Sequence, residues 1–246
     1  MKRYALFGML ACVSCALVSH AVEPGSFEEK AGAYRWACEP VEGLPNVLIL
    51  GDSISIGYTL QVREYLIGKA NVYRPLAEDG GPQNCGAADT GVRKLQDWLG
   101  STEWDVIHFN WGLHDLKRVG REDGKMVSSI DLPPRISIAD YQKNLQRCID
   151  QMKLTGARLI FATTTAYPNG VSPVRVPEDA VRYNVAALEV MGRNGIVVND
   201  LYALTVGRLD ELQKPVNVHF SEKGSAVIGK QVASAIATQL GVTMEN

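Results

Sequence analysis

The sequence predicts an α/β fold in which five strands form one parallel sheet with helices on its faces. Two observations carry this prediction. Short apolar runs alternate with longer stretches of helical period, the pattern of βαβ units. Most of those runs are apolar on both faces, as strands covered on both sides must be. No Gly/Ser-rich or Pro-rich linker divides the chain, so residues 22–246 are expected to form a single domain.

Strands are predicted at 46–51, 71–75, 105–110, 157–162 and 195–199. The second contains Pro75, which has no N–H to give a ladder and therefore suits a strand end or a sheet edge. Helices are predicted at 56–69, 90–99, 138–155, 179–193 and 222–240. The last is the clearest: Ser221 can cap it, and Ile228, Val232, Ile236 and Leu240 recur every four residues as one apolar stripe. Two connections, 117–135 and 168–177, are longer than usual, and both follow strands. In an open α/β sheet the loops beyond the carboxyl ends of strands surround the ligand crevice, so both are expected to rim a substrate site.

At the N-terminus Lys2 and Arg3 precede an apolar run from Tyr4 to Val18, followed by Ser19, His20 and Ala21. A charged start, a short apolar middle and small residues at the -3 and -1 positions are the marks of a secretory signal peptide, here residues 1–21, cleaved after Ala21. A lipoprotein acylated at Cys12 or Cys15 is the poorer alternative, because Met9-Leu10-Ala11 matches a lipobox only loosely. Cleavage removes two cations and takes the formal charge from -2 to -4. No later apolar run reaches the ~20 residues of a membrane span, so a periplasmic or secreted protein is expected. The charge balance excludes the positive field of a nucleic-acid binder. Past Ala21 there remain Cys38, Cys85 and Cys148, of which two could pair in an oxidising compartment; their spacing makes neither a disulfide framework nor a CxxC site.

The strongest local feature is Gly51-Asp52-Ser53-Ile54-Ser55, directly after an apolar strand and before a helix. A serine on such a turn is presented at the crevice beside helix N-terminal amides that can hold an oxyanion. The plainer reading is a helix cap, for which Ser and Asp are the usual residues. A serine nucleophile needs a base, and His219 stands in Val216-Asn217-Val218-His219-Phe220, just before the final helix and after the fifth strand. Both residues can therefore reach the same sheet edge.

On these residues the chain resembles the SGNH, or GDSL-type, hydrolase family, from about Val47 to Leu240. The resemblance implies a flavodoxin-like three-layer α/β/α sandwich and ester hydrolysis, with Ser53 as nucleophile and His219 as general base. It also implies an oxyanion hole formed by the Ser53 N–H, a glycine N–H and a side-chain donor. Gly86, in Asn84-Cys85-Gly86, is the expected glycine, with Gly80 and Gly81 as competitors. The family's Gly-x-Asn-Asp block reads Gly112-Leu113-His114-Asp115 here, so His114 takes the donor position and Asn110 is the alternative. The family's Asp-x-x-His block has Val216 where the acid belongs. Asn217 is the nearest group able to orient the ring, and Asp210 and Glu211 are more remote acids.

His108, Trp104 and Trp111 read as core or cleft wall. His108 and His114 do not make a metal-ligand spacing and GxGxxG is absent after the first strand, so neither metal nor dinucleotide is expected. The expectation is an exported serine esterase that removes acetyl or other short acyl groups from a small-molecule or glycan ester. A catalytically reduced relative that binds glycan or a cell-envelope partner is the alternative, motivated by Val216 and His114.

Overall fold

The computed structural model describes residues 36–244. The predicted signal peptide lies outside them. Five parallel strands, β1 (Asn46–Leu50), β2 (Asn71–Tyr73), β3 (Val106–Phe109), β6 (Arg158–Ala162) and β7 (Val197–Asn199), form one sheet in the order β2-β1-β3-β6-β7. With the β4 (Val119–Glu122) and β5 (Lys125–Ser128) hairpin set aside, this is the flavodoxin-like order, whose ligand crevice lies where the winding reverses between β1 and β3.

Alternation along the strands splits the core into two layers. Leu48, Leu50, Ile107, Phe109 and Phe161 pack beneath α2 (Ala88–Leu99), α3 (Ile138–Lys153) and α4 (Pro177–Asn194). Val47, Ile49, Val106 and Ile160 face the other way, against Tyr58 and Val62 of α1 (Ser53–Tyr65) and Ile228, Val232 and Ile236 of α7 (Glu222–Leu240). The result is the three-layer sandwich that the resemblance implies.

The final helix has the predicted bounds, with the Ser221 hydroxyl accepting the Gly224 N–H at 3.1 Å. Helix α4 starts at Pro177, two residues before the predicted start, at a position where a missing N–H costs nothing. As Pro75 suggests, β2 is a sheet edge. The other edge, β7, departs from the picture of doubly covered strands: Val197 and Val198 are 44% and 37% exposed. Two short helices, α5 (Leu201–Thr205) and α6 (Leu209–Leu212), carry too few residues to show a period.

The 117–135 connection contains the unforeseen β4–β5 hairpin. Its signal was present, because Asp123-Gly124 has positive φ at both residues, 47° and 76°, as a two-residue hairpin turn of the right twist requires. This connection is fastened to the other long loop. Arg118 N–H donates to Val174 O at 2.8 Å, and Val174 N–H donates to Ser128 Oγ at 2.7 Å. The Arg118 guanidinium reaches Leu132 O and Asp179, both at 2.7 Å.

The described cysteines, Cys38, Cys85 and Cys148, are all free thiols. Burial pushes Cys85 up to about 11 and Cys148 up to about 12, so both remain protonated.

Candidate active site

The turn after β1 divides two tasks between neighbours. Asp52 is the N-cap of α1, its carboxylate accepting the Ile54 N–H at 2.9 Å. Ser53 is the first helical residue, so its hydroxyl is not spent on capping. The plainer reading of the motif thus belongs to Asp52. Among the described residues nothing accepts the Ser53 N–H, one of the unpaired donors of a helix start.

The Ser53 hydroxyl meets His219 Nε2 at 2.8 Å, joining residues 166 positions apart. On the far side of the ring, Nδ1 lies 2.8 Å from Asn217 Oδ1. That same oxygen accepts the His219 backbone N–H at 2.9 Å. With two donors converging on it, Oδ1 rather than the amide nitrogen faces the ring, which assigns the proton to Nδ1 and leaves Nε2 to accept from Ser53. Burial, with the Lys214 and Arg175 charges, holds His219 below the usual imidazole range, and Asp52 opposes this. The ring is therefore neutral at neutral pH, as a base must be.

The more remote acids do not take this place. Glu211 is engaged by Arg208 at 2.9 Å and Lys223 at 2.8 Å, and Asp210 is exposed. Val216 has φ of 48° and is 62% exposed, so the loop bends out at the position where the family carries its acid.

Gly112 has φ of 156°, and a Cβ there would stand 2.0 Å from Thr164 Oγ1. Only glycine allows the turn after β3 to pack on the end of β6, and that turn carries His114. No described residue hydrogen-bonds the His114 ring nitrogens. Burial pushes its pKa down, the Lys117, Arg175 and Arg135 charges add to this, and Asp52 opposes it. His114 is thus a neutral donor at pH 7. Asn110 instead gives its amide to Ala162 O at 2.7 Å, tying β3 to β6.

Gly86 and Gly80 both adopt positive φ, 64° and 79°, whereas Gly81 does not. The Gly86 N–H is engaged, donating to Asn84 Oδ1 at 2.9 Å. The loop is anchored near Ser53 because Cys85 N–H donates to Gly51 O at 3.1 Å.

His108 is fully buried under α1 and α7, its Nε2 is 3.2 Å from Asn199 Nδ2, and desolvation pushes its pKa down to about 3. Trp104 and Trp111 are buried, their indole N–H groups directed at Leu99 O and Cys85 O. All three belong to the core.

Two buried arginines escaped the sequence reading. Arg74 is 4% exposed and donates to Gly51 O at 3.3 Å, Gln83 O at 2.9 Å, Ser55 Oγ at 3.2 Å and Thr59 Oγ1 at 2.9 Å. It therefore ties the Gly51–Ser53 turn to the loop that carries Gly86. Arg175 is 6% exposed and donates to Leu113 O at 2.9 Å, beside His114. The only signal for either was a lone cation among apolar or loop residues.

Among the described residues no group of three or more His, Cys, Asp and Glu is placed to hold a metal ion, and no helix is long and apolar enough to cross a membrane.

Comparison with known proteins agrees with this geometry. No curated protein sequence matches the chain. Similar solved structures include a lipase/acylhydrolase from Enterococcus faecalis (20% identity, TM-score 0.64, covering 82% of this chain and all of that one). The acetyl xylan esterase AlAXEase is similar at 15% identity and TM-score 0.60, over 78% of this chain and 99% of that one. The psychrotrophic esterase EstA from Pseudoalteromonas sp. follows at 15% and 0.58, over 80% and 98%. These identities establish a shared fold. The model of the GDSL-like Lipase/Acylhydrolase family matches residues 49–227, a span that includes Ser53, Gly86, His114 and His219. The chain belongs to the GDSL-like lipase/acylhydrolase family and is an SGNH-type ester hydrolase.

Proposed function

We propose that the protein is an exported serine esterase that removes acetyl or other short acyl groups from carbohydrate. The observation that carries the chemistry is the continuous chain from Ser53 Oγ to His219 Nε2 and from Nδ1 to Asn217 Oδ1, each link 2.8 Å. Ser53 Oγ attacks the acyl carbon while its proton passes to His219 Nε2. The imidazolium returns that proton to the leaving alcohol as the tetrahedral intermediate collapses. Water then attacks the acyl-enzyme, its proton again passing to Nε2, and the carboxylic acid leaves with Ser53 restored. Asn217 holds the tautomer by an amide oxygen and adds no charge.

The developing oxyanion is held by the Ser53 N–H, by His114 as a neutral donor, and by the Gly86 N–H once it turns from Asn84 Oδ1. Export is supported by the N-terminal tract of residues 1–21. The carbohydrate assignment draws support from the polar, charged loops at the rim and from the acetyl xylan esterase among the structural neighbours. The test is hydrolysis of 4-nitrophenyl acetate by residues 22–246 and by Ser53→Ala. Loss of at least about 10³-fold in kcat is expected for the variant, and equal rates would refute the nucleophile.

A further inference from the structure

We infer that the esterase site carries an anion-binding subsite on its rim, formed by Arg175 and Lys117, and that its substrates bear a carboxylate near the scissile ester. The inference rests on the esterase reading and deepens it by naming a charge on the substrate. Arg175 is more than nine-tenths buried, yet it forms no ion pair with any described carboxylate. Its Nε donates to Leu113 O at 2.9 Å and its Nη1 to Pro173 O at 3.0 Å. Nη2 has no hydrogen bond among the described residues and is not one of the fully enclosed unpartnered atoms, so one edge of the guanidinium stays open.

Lys117 is brought alongside by the backbone, because the Arg118 N–H donates to Val174 O at 2.8 Å. Its ammonium also pairs with no described carboxylate. The nearby acids are committed elsewhere. Asp89 is 3.1 Å from Arg135, and Asp179 is taken by Arg118 at 2.7 Å and Arg182 at 3.0 Å. Asp115 is pushed up to about 8 by burial, so it is mostly uncharged at neutral pH. Asp52 is the one carboxylate whose charge acts on Arg175, and it is occupied in capping α1.

A buried guanidinium normally finds a counter-ion, since an uncompensated charge is costly to desolvate. After burial, the Arg175 charge further depresses the proton affinity of Lys117, and it acts likewise on both His114 and His219, so the excess of positive charge lies beside Ser53 and His219. A substrate carboxylate would supply the missing charge, and a guanidinium edge suits its geometry. The carboxylate can lie on the alcohol, as in an acylated uronic acid, or on the acyl group, as in the half-ester of a dicarboxylic acid.

The experiment compares kcat/KM within two matched pairs: 4-acetoxybenzoate against its methyl ester, and mono-4-nitrophenyl glutarate against 4-nitrophenyl butyrate. The wild type is expected to prefer the anionic member of one pair by about 10-fold or more, the scale of a charge-assisted hydrogen bond. The pair showing the preference identifies the side that bears the charge. Arg175→Gln, whose amide nitrogen can take the place of Nε toward Leu113 O, and the part-exposed Lys117→Met should each reduce that preference. Equal kcat/KM within both pairs would overturn the subsite. So would an equal loss on both members in Arg175→Gln, which would instead mark Arg175 as an oxyanion or folding residue. Calorimetric binding of 4-acetoxybenzoate and its methyl ester to Ser53→Ala separates the two readings: selective binding without wild-type turnover refutes the esterase assignment alone, and turnover without selectivity refutes the subsite alone.

Discussion

Replacing Asn217 tests the step in which this site departs most from its family. Asn217 Oδ1 accepts from both His219 Nδ1 and His219 N, at 2.8 and 2.9 Å. Asn217→Ala strands the ring N–H, a loss of about 1–3 kcal/mol, or about 5- to 150-fold in kcat/KM. Asn217→Asp places a negative charge against the ring. At ~4 Å and an effective dielectric constant near 20 the bare attraction to an imidazolium is about 4 kcal/mol. The part-exposed ring is screened, which leaves about 1–2 kcal/mol and raises the His219 pKa by about one unit. In the proposed mechanism His219 acts when neutral, and burial holds its pKa down, so activity should fall only as pH drops through a value below about 6.5. The assay is kcat/KM for 4-nitrophenyl acetate from about pH 5 to 9, with thermal unfolding of each variant as control. Asn217→Asp should move the acid limb upward by about one unit and raise the plateau kcat. Activity of Asn217→Ala within about twofold of wild type, or an unmoved limb in Asn217→Asp, would refute the orienting role.

Two further outcomes concern the turn after β3. Asp115 accepts the Ala88 N–H at 3.0 Å and is held near 8 by burial, so the folded state keeps a proton that the unfolded chain releases near pH 4. Its contribution is therefore full below about pH 4 and is lost as pH rises towards 8; urea unfolding should show Asp115→Asn gaining on wild type across that window by at most about 1.4 kcal/mol per pH unit, and parallel curves would refute the linkage. Gly112→Ala forces a Cβ to within 2.0 Å of Thr164 Oγ1 at a φ of 156°. It should cost about 2–4 kcal/mol, partly recovered in a Thr164→Ala background, and melting temperatures of the single and double variants check the coupling.

The parts of this molecule that sequence reveals are those with a local physical signature. Leu48 and Leu50 point one way and Val47 and Ile49 the other, so an unbroken apolar run was enough to specify a covered strand. Ser53 and His219 were legible as a candidate pair because each sits beside an element boundary with its own capping residue, Asp52 and Ser221. Asn217 was identifiable because it is the group nearest His219 in sequence whose amide oxygen can accept from the ring N–H. Arg74 and Arg175 were not, since their roles depend on carbonyls of Gly51, Gln83, Leu113 and Pro173 that only the folded chain assembles around them. The β4–β5 hairpin was hidden by charged residues that mask its alternation, although Asp123-Gly124 announced its turn.

The clasp between the hairpin and the 168–177 loop bears on how these two segments can be replaced. Ser128, Arg118 and Val174 share their hydrogen bonds across the two segments, so neither can be exchanged alone without stranding donors and acceptors on its mate. Exchange of either segment is therefore expected to require its mate, the two moving as one cassette. Laboratory grafts that transplant the pair should succeed where single-loop swaps lose solubility.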